Sequence, residues 1–220
     1  MKQLLKLLTL LLAAVLLVGC KAEEPDFTRE EGPDFTKDIT WHFNREFAQL
    51  LEEKRYIPDA RKITWADVKD ITDLDVSGPV AHKFGNPNSY IYFGNLTSLS
   101  GIEYFSALTN LYCHGNKLKT LDVSKNMNLT SLGCSHNQLT TLNVRKNTAL
   151  NWLYCPHNQL TSLNISNNTA LKWLNCFCNP GNGTVFPVTA WFNNNNIPSG
   201  FITEGWDFDG SKIDIKYIKK

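Results

Sequence analysis

The sequence predicts a repeat solenoid of short, β-rich coils, with a small helical cap in front and a β-strand cap containing a hairpin behind. Three observations predict it. First, the centre of the chain repeats every 21 residues: LTNLYCHGNKLKTLDVSKNMN begins at Leu108, LTSLGCSHNQLTTLNVRKNTA at Leu129, LNWLYCPHNQLTSLNISNNTA at Leu150 and LKWLNCFCN at Leu171. A fixed period of this size marks units that bury their apolar face only against their neighbours. Second, each unit holds a weaker internal repeat, LxxLxCxxN followed by LxxLxVxxN, which predicts two short strand-like edges per coil joined by tight turns. Third, the flanking text is different in kind, amphipathic before the repeats and rich in aromatic and β-branched residues after them.

Within a coil, leucines such as Leu111 and Leu121 are expected to point inward. Asn116, Asn137, Asn158 and Asn179 close the first half of each unit at matching positions. Stacked asparagines there would satisfy backbone groups at the bends, which a buried loop cannot leave unpaired. Cys113, Cys134, Cys155 and Cys176 share one inward position, so CPH at 155–157 reads as architecture before chemistry. A buried thiol packs as a small, inert hydrophobe. Coils about 4.8 Å apart also leave a disulfide between neighbouring coils open in an exported protein. Cys178 differs: it occupies the turn position of Gly115, His136 and His157, where exposure is expected. His136 and His157 share a register while His114 is one position off, and two stacked histidines without carboxylates make a poor metal site.

These repeats resemble the leucine-rich repeat family, with cysteine in place of the last core leucine, as in short-repeat surface proteins of gut Bacteroidetes. The resemblance covers about residues 70–179, and the repeats proper are placed at 73–179. ITDLDVSG (71–78) and LTSLSGIEYFSALTNL (96–111) read as an irregular first coil or two, the latter resembling the internalin-like version of the repeat.

Open solenoid ends need caps. Residues 39–72 are assigned to a helical one. An amphipathic helix is expected over 39–57, with Phe43, Phe47, Leu50 and Leu51 on its apolar side, Asn44 as a candidate N-cap and Glu46 in the first turn. A second helix is expected over 63–71, with Thr64 and Asp67 approximating a capping box, and Pro58-Asp59 lies in the turn between them. The span resembles the family's helical N-terminal cap, but PDARK stands where that cap often carries a calcium-like loop, so no calcium is expected. Residues 180–220 form the rear cap. A strand is expected from Val185 to Phe192, and Trp206-Asp207-Phe208 and Ile213–Tyr217 alternate about Asp209-Gly210 as a hairpin. Its expected role is to cover the last coil, with a glycan contact through Trp191 or Trp206 as the alternative.

The N-terminus, MKQLLKLLTLLLAAVLLVGC, reads as an export signal over residues 1–19. Its end, LVGC, resembles the lipobox of bacterial lipoproteins, which implies lipid attachment at Cys20 and anchorage without a span. Residues 20–38 follow as an acidic, proline-containing tether with a duplicated PDFT. Its KAEE start resembles the export signal of Bacteroidetes surface lipoproteins, which implies the outer face of the outer membrane.

Loss of Lys2 and Lys6 with that signal leaves a chain close to neutral, slightly acidic, with no basic excess for nucleic acid. No Ser/His/Asp spacing, glycine-rich phosphate loop or cleft-held carboxylate pair stands out. The expectation is a binding module that is not an enzyme and needs no cofactor. If Leu and Cys face inward, their neighbours face outward. The first edge then presents Asn110, Tyr112 and His114; Ser131, Gly133 and Ser135; Trp152, Tyr154 and Pro156; and Trp173, Asn175 and Phe177. The second edge is almost wholly polar, from Thr120, Asp122 and Ser124 to Ser162, Asn164 and Ser166. The candidate binding residues are therefore Tyr112, Trp152, Tyr154, Trp173 and Phe177, because exposed aromatic clusters mark recognition surfaces. A protein or peptide partner is the expectation the family resemblance implies. Carbohydrate, and a purely structural envelope role in which the aromatics only pack against the cap, are the alternatives.

Overall fold

The computed structural model describes residues 34–83, 86–92, 94–203 and 214–220, and the fold below is that of Thr36–Lys220. Cys20, the proposed signal over 1–19, most of the tether and the Trp206–Phe208 arm of the expected hairpin lie outside the described residues.

The helical cap comes first. A 3-10 turn, Thr40–His42, leads into α1, Arg45–Glu53, and α2 is Trp65–Val68. Both helices are shorter than the amphipathic pattern suggested. Asn44 is extended and its side chain accepts from the Phe47 N–H, so helical backbone starts only at Arg45. Lys54 and Arg55 end α1, the latter with a φ of 63°. Thr64 starts α2 as expected, its N–H and hydroxyl both donating to the Asp67 carboxylate at 2.7 Å. Phe43, Phe47 and Phe105 pack ring to ring, and the Trp65 indole donates to the Tyr104 carbonyl at 3.1 Å, tying the cap to the first coil.

The first edges of the coils form one parallel sheet. Its strands are β1 (Asp73–Asp75), β4 (Asn110–Tyr112), β5 (Ser131–Gly133), β6 (Trp152–Tyr154) and β8 (Trp173–Asn175), with β10 (Ile202–Thr203) added beyond β8. Pairing from β4 to β8 advances by the sequence period, Leu111 opposite Leu132, Leu132 opposite Leu153 and Leu153 opposite Leu174. These leucines are fully buried. Between β1 and β4 the step is longer, Leu74 opposite Leu111. An antiparallel hairpin of β2 (Val80–Lys83) and β3 (Asn86–Tyr92) is inserted there, unforeseen in the sequence reading. The chain leaves the coil at Gly78 and re-enters at Gly94. A Cβ on Gly78 would lie 2.4 Å from the Gly94 nitrogen, and one on Gly94 would lie 2.3 Å from Asn116 Oδ1, so the neck closes only because both residues lack side chains.

The asparagine ladder forms as expected. Asn137 donates to the Cys113 carbonyl of the preceding coil (2.9 Å) and to Cys134 and Ser135 of its own, while its Oδ1 accepts from the Leu118 N–H at 3.0 Å. Asn158 and Asn179 repeat the pattern one and two coils on, and Asn116 begins it against Val76 and Leu96.

The second edge departs from expectation. It is a strand only at β7 (Leu163–Asn164), with one bridge from Asn143 to Asn164. Asp122, Asn143 and Asn164 also accept from the backbone N–H two residues on. A second, unforeseen asparagine row holds this side: Asn147 and Asn168 donate to carbonyls of the coil before, and Asn126 to Ile102 and Phe105. The rear cap extends both edges. Its strand β9 (Val185–Ala190) pairs in parallel with β7 on one side and with β11 (Asp214–Lys219) on the other. Phe192, Phe201 and Tyr217 cluster beneath it, and Trp191 packs on Phe192 and Phe201, which places Trp191 in the structure of the cap.

Removing the Asn137 side chain strips partners from two coils at once. Asn137→Ala is expected to cost about 2–4 kcal/mol, because it leaves buried backbone groups unpaired. Urea unfolding measures this, and a loss below about 1 kcal/mol would show the ladder to be dispensable.

Candidate functional site

The outward positions of the six-stranded sheet fall into columns fixed by register. Asp73, Asn110, Ser131, Trp152 and Trp173 stand in one; Asp75, Tyr112, Gly133, Tyr154 and Asn175 stand in the next. Register therefore brings four of the five candidate binding residues together. Trp152 and Trp173 stack with ring centroids 4.8 Å apart and planes 6° from parallel. Tyr154 lies within 5.6 Å of both rings at 11° and 15°. Tyr112 meets Trp152 edge-on at 6.1 Å, across the small residues of β5. All four rings are half-buried. Phe177 lies two residues beyond Asn175, past the end of β8, also half-buried, its N–H donating to Asn175 Oδ1.

His114 is the residue the sequence reading undervalued. The sequence places it at an outward position of the first edge, two residues beyond Tyr112, without counting it among the candidate binding residues. Its Nδ1 lies 2.9 Å from Ser135 Oγ, and its ring packs against Tyr112 and Tyr154. A Cβ on Gly133 would fall 2.3 Å from that ring, so the missing side chain in β5 is the space His114 fills. Burial pushes the His114 pKa down, with the nearby Asp75 carboxylate pulling the other way. The signal was present in the text as a glycine in a column of large residues.

The cysteines behave as core. Cys113, Cys134, Cys155 and Cys176 are buried free thiols in one register. Burial pushes all of them up, Cys134 to about 12. A thiol held protonated in this way is a poor nucleophile and a poor ligand. Cys178 is exposed, at a left-handed corner it shares by register with Gly115, His136 and His157. The His136 and His157 rings stack there at 4.1 Å. No three His, Cys, Asp or Glu side chains among the described residues are placed to hold a metal ion. No helix among them is long and apolar enough to cross a membrane.

Parallel coils, inward Leu and Cys, and asparagine-closed turns define a leucine-rich repeat solenoid. No protein-family model and no curated protein matches the chain. Among solved structures it is similar to the functional domain of InlJ from Listeria monocytogenes, which includes a cysteine ladder, with 36% identity and a TM-score of 0.44 over 54% of this chain and 23% of that one. It is also similar to the internalin InlF from Listeria monocytogenes (19% identity, TM-score 0.46, 70% of this chain and 50% of that one). For internalin C2 of the same organism the values are 14%, 0.33, 76% and 96%. The chain thus spans about a quarter and a half of the first two.

The histidine stack predicts a pH dependence. Burial first, then His157 and His114, lowers the His136 pKa from 6.5 to about 4. The unfolded chain therefore takes up a proton that the folded one refuses. This contribution to stability is complete above pH 6.5 and declines as the pH falls toward 4. The urea midpoint of the wild type is expected to drop over that window. His136→Asn, which tolerates the left-handed corner, should flatten the drop, and an unchanged slope would assign it to other groups.

Proposed function

We propose that the chain is a non-catalytic, surface-displayed binding module, lipid-anchored through Cys20 at the outer membrane, which recognises a protein or peptide through the Tyr112, Trp152, Tyr154 and Trp173 face. One observation carries this reading: the four rings form a contiguous aromatic stripe on the outward side of the sheet, while the buried side is filled by Leu and Cys. Rigid aromatics bury large area at small entropic cost, which is why they dominate interface energetics.

The stacking also discriminates between ligands. A sugar binds an aromatic platform by lying on a ring face. Here the facing surfaces of Trp152 and Trp173 cover each other, and Tyr154 lies nearly parallel to both. One face of each indole is thus taken up by the other, which leaves less open ring for a pyranose laid on a plane and favours side chains wedged against a ridge. Carbohydrate therefore stands as the second reading, tested in the same experiment.

The full chain is applied to an array of glycans and extracellular proteins beside a Trp152→Ala/Trp173→Ala double variant, with circular dichroism to check folding. Saturable binding to proteins, weakened about tenfold or more in the folded variant, is the expected result. Binding confined to glycans would replace this reading with the second one. Binding untouched by the double substitution would remove the aromatic stripe as the site.

A further inference from the structure

The outward columns are graded in charge as well as in shape. Where coils three and four carry stacked rings, the first strand places Asp73 and Asp75 in the same two columns, both exposed. No lysine or arginine occupies any outward position of β1, β4, β5, β6 or β8. Burial lowers the pKa of His114, which lies just beyond these columns, although the Asp75 carboxylate acts the other way. Asp73 is held in place by bonds from the Thr72 hydroxyl and the Asn110 amide, and Asp75 accepts from the Ser77 N–H at 2.9 Å. Neither carboxylate has a cationic partner among the described residues. The face thus has a fixed anionic end and a fixed aromatic end on one sheet.

Resting on the binding reading above, we propose that this face takes an extended basic peptide segment lying across the strands, with a Lys or Arg against Asp73 and Asp75 and an apolar or aromatic side chain against the Trp152–Trp173 ridge. Register sets the spacing. From β1 to β6 is three strand intervals of about 4.8 Å, roughly 14 Å, which an extended chain rising about 3.3 Å per residue spans in about four residues. A cation between the two ends is also met by Tyr112, whose ring suits a cation–π contact. An acidic partner would meet uncompensated repulsion at the first strand, so charge complementarity selects against it.

Random 12-residue peptides displayed on phage are selected on the full chain and then assayed against two folded variants, Asp73→Asn/Asp75→Asn and Trp152→Ala/Trp173→Ala. The asparagine substitutions keep the shape and the local turn acceptors while removing both charges. Enriched peptides are expected to carry Lys or Arg three to five positions from an apolar or aromatic residue. Their binding should fall about threefold per lost carboxylate, the size of exposed charge pairs, and should weaken with added salt. Peptides lost in the tryptophan variant but bound equally by the asparagine variant would overturn the charge assignment and leave the binding reading standing. Peptides bound equally by all three proteins, or no enrichment at all, would overturn both.

Discussion

Coil-to-coil hydrogen bonding by asparagine is the constraint on which the rest of this molecule depends. A backbone that turns sharply every few residues buries carbonyls and N–H groups at each bend, and those groups have no regular partner. One amide supplies both needs: the Nδ2 of Asn137 donates to two successive coils while its Oδ1 accepts from Leu118. Because the same side chain spans adjacent coils, it fixes their register. The register then decides everything further out, including which leucines interlock and which aromatics stand side by side.

That dependence explains why the aromatic face exists. Trp152 and Trp173 are far from adjacent in sequence, and nothing local draws them together. They stack because each is the residue before the central leucine of its strand, and the ladders hold those leucines opposite each other. The arrangement is preorganised, since each ring is buttressed by its neighbours before any ligand arrives. The same regularity carries a cost at the corners, where His136, His157 and Cys178 adopt left-handed backbone usually left to glycine or asparagine.

Much of this was legible because repetition makes it so. The period gave the sheet, its parallel order, the inward cysteines and the first asparagine row, and the short-range signals at Asn44 and Thr64 marked where the helices start. What escaped was of two kinds. The hairpin β2–β3 interrupts the period between Gly78 and Gly94, so its residues fall out of the repeat alignment, and their pairing is with each other. The second edge is a strand only at β7, where β9 of the rear cap supplies a partner, and an LxxLxVxxN pattern does not show which coil receives one. Similarly, the 214–219 segment was readable as a strand, but its parallel pairing with Val185–Ala190 is a long-range fact that no local alternation encodes. At the candidate site, register placed the tryptophans correctly, whereas the role of His114 depended on the absence of a side chain at Gly133.

The neck at Gly78 and Gly94 has a consequence for how the chain tolerates change. The two glycines bring the exit and the re-entry of the chain into contact, and Gly94 hands the path directly to the asparagine row at Asn116. Whatever is spliced between them leaves the coil's own bonding intact, and lengthening it costs only a slowly growing closure entropy. A solenoid built this way has a socket in its first turn. Its frame can stay constant while the excursion changes in length or sequence, because the bonds that stack the coils do not pass through it.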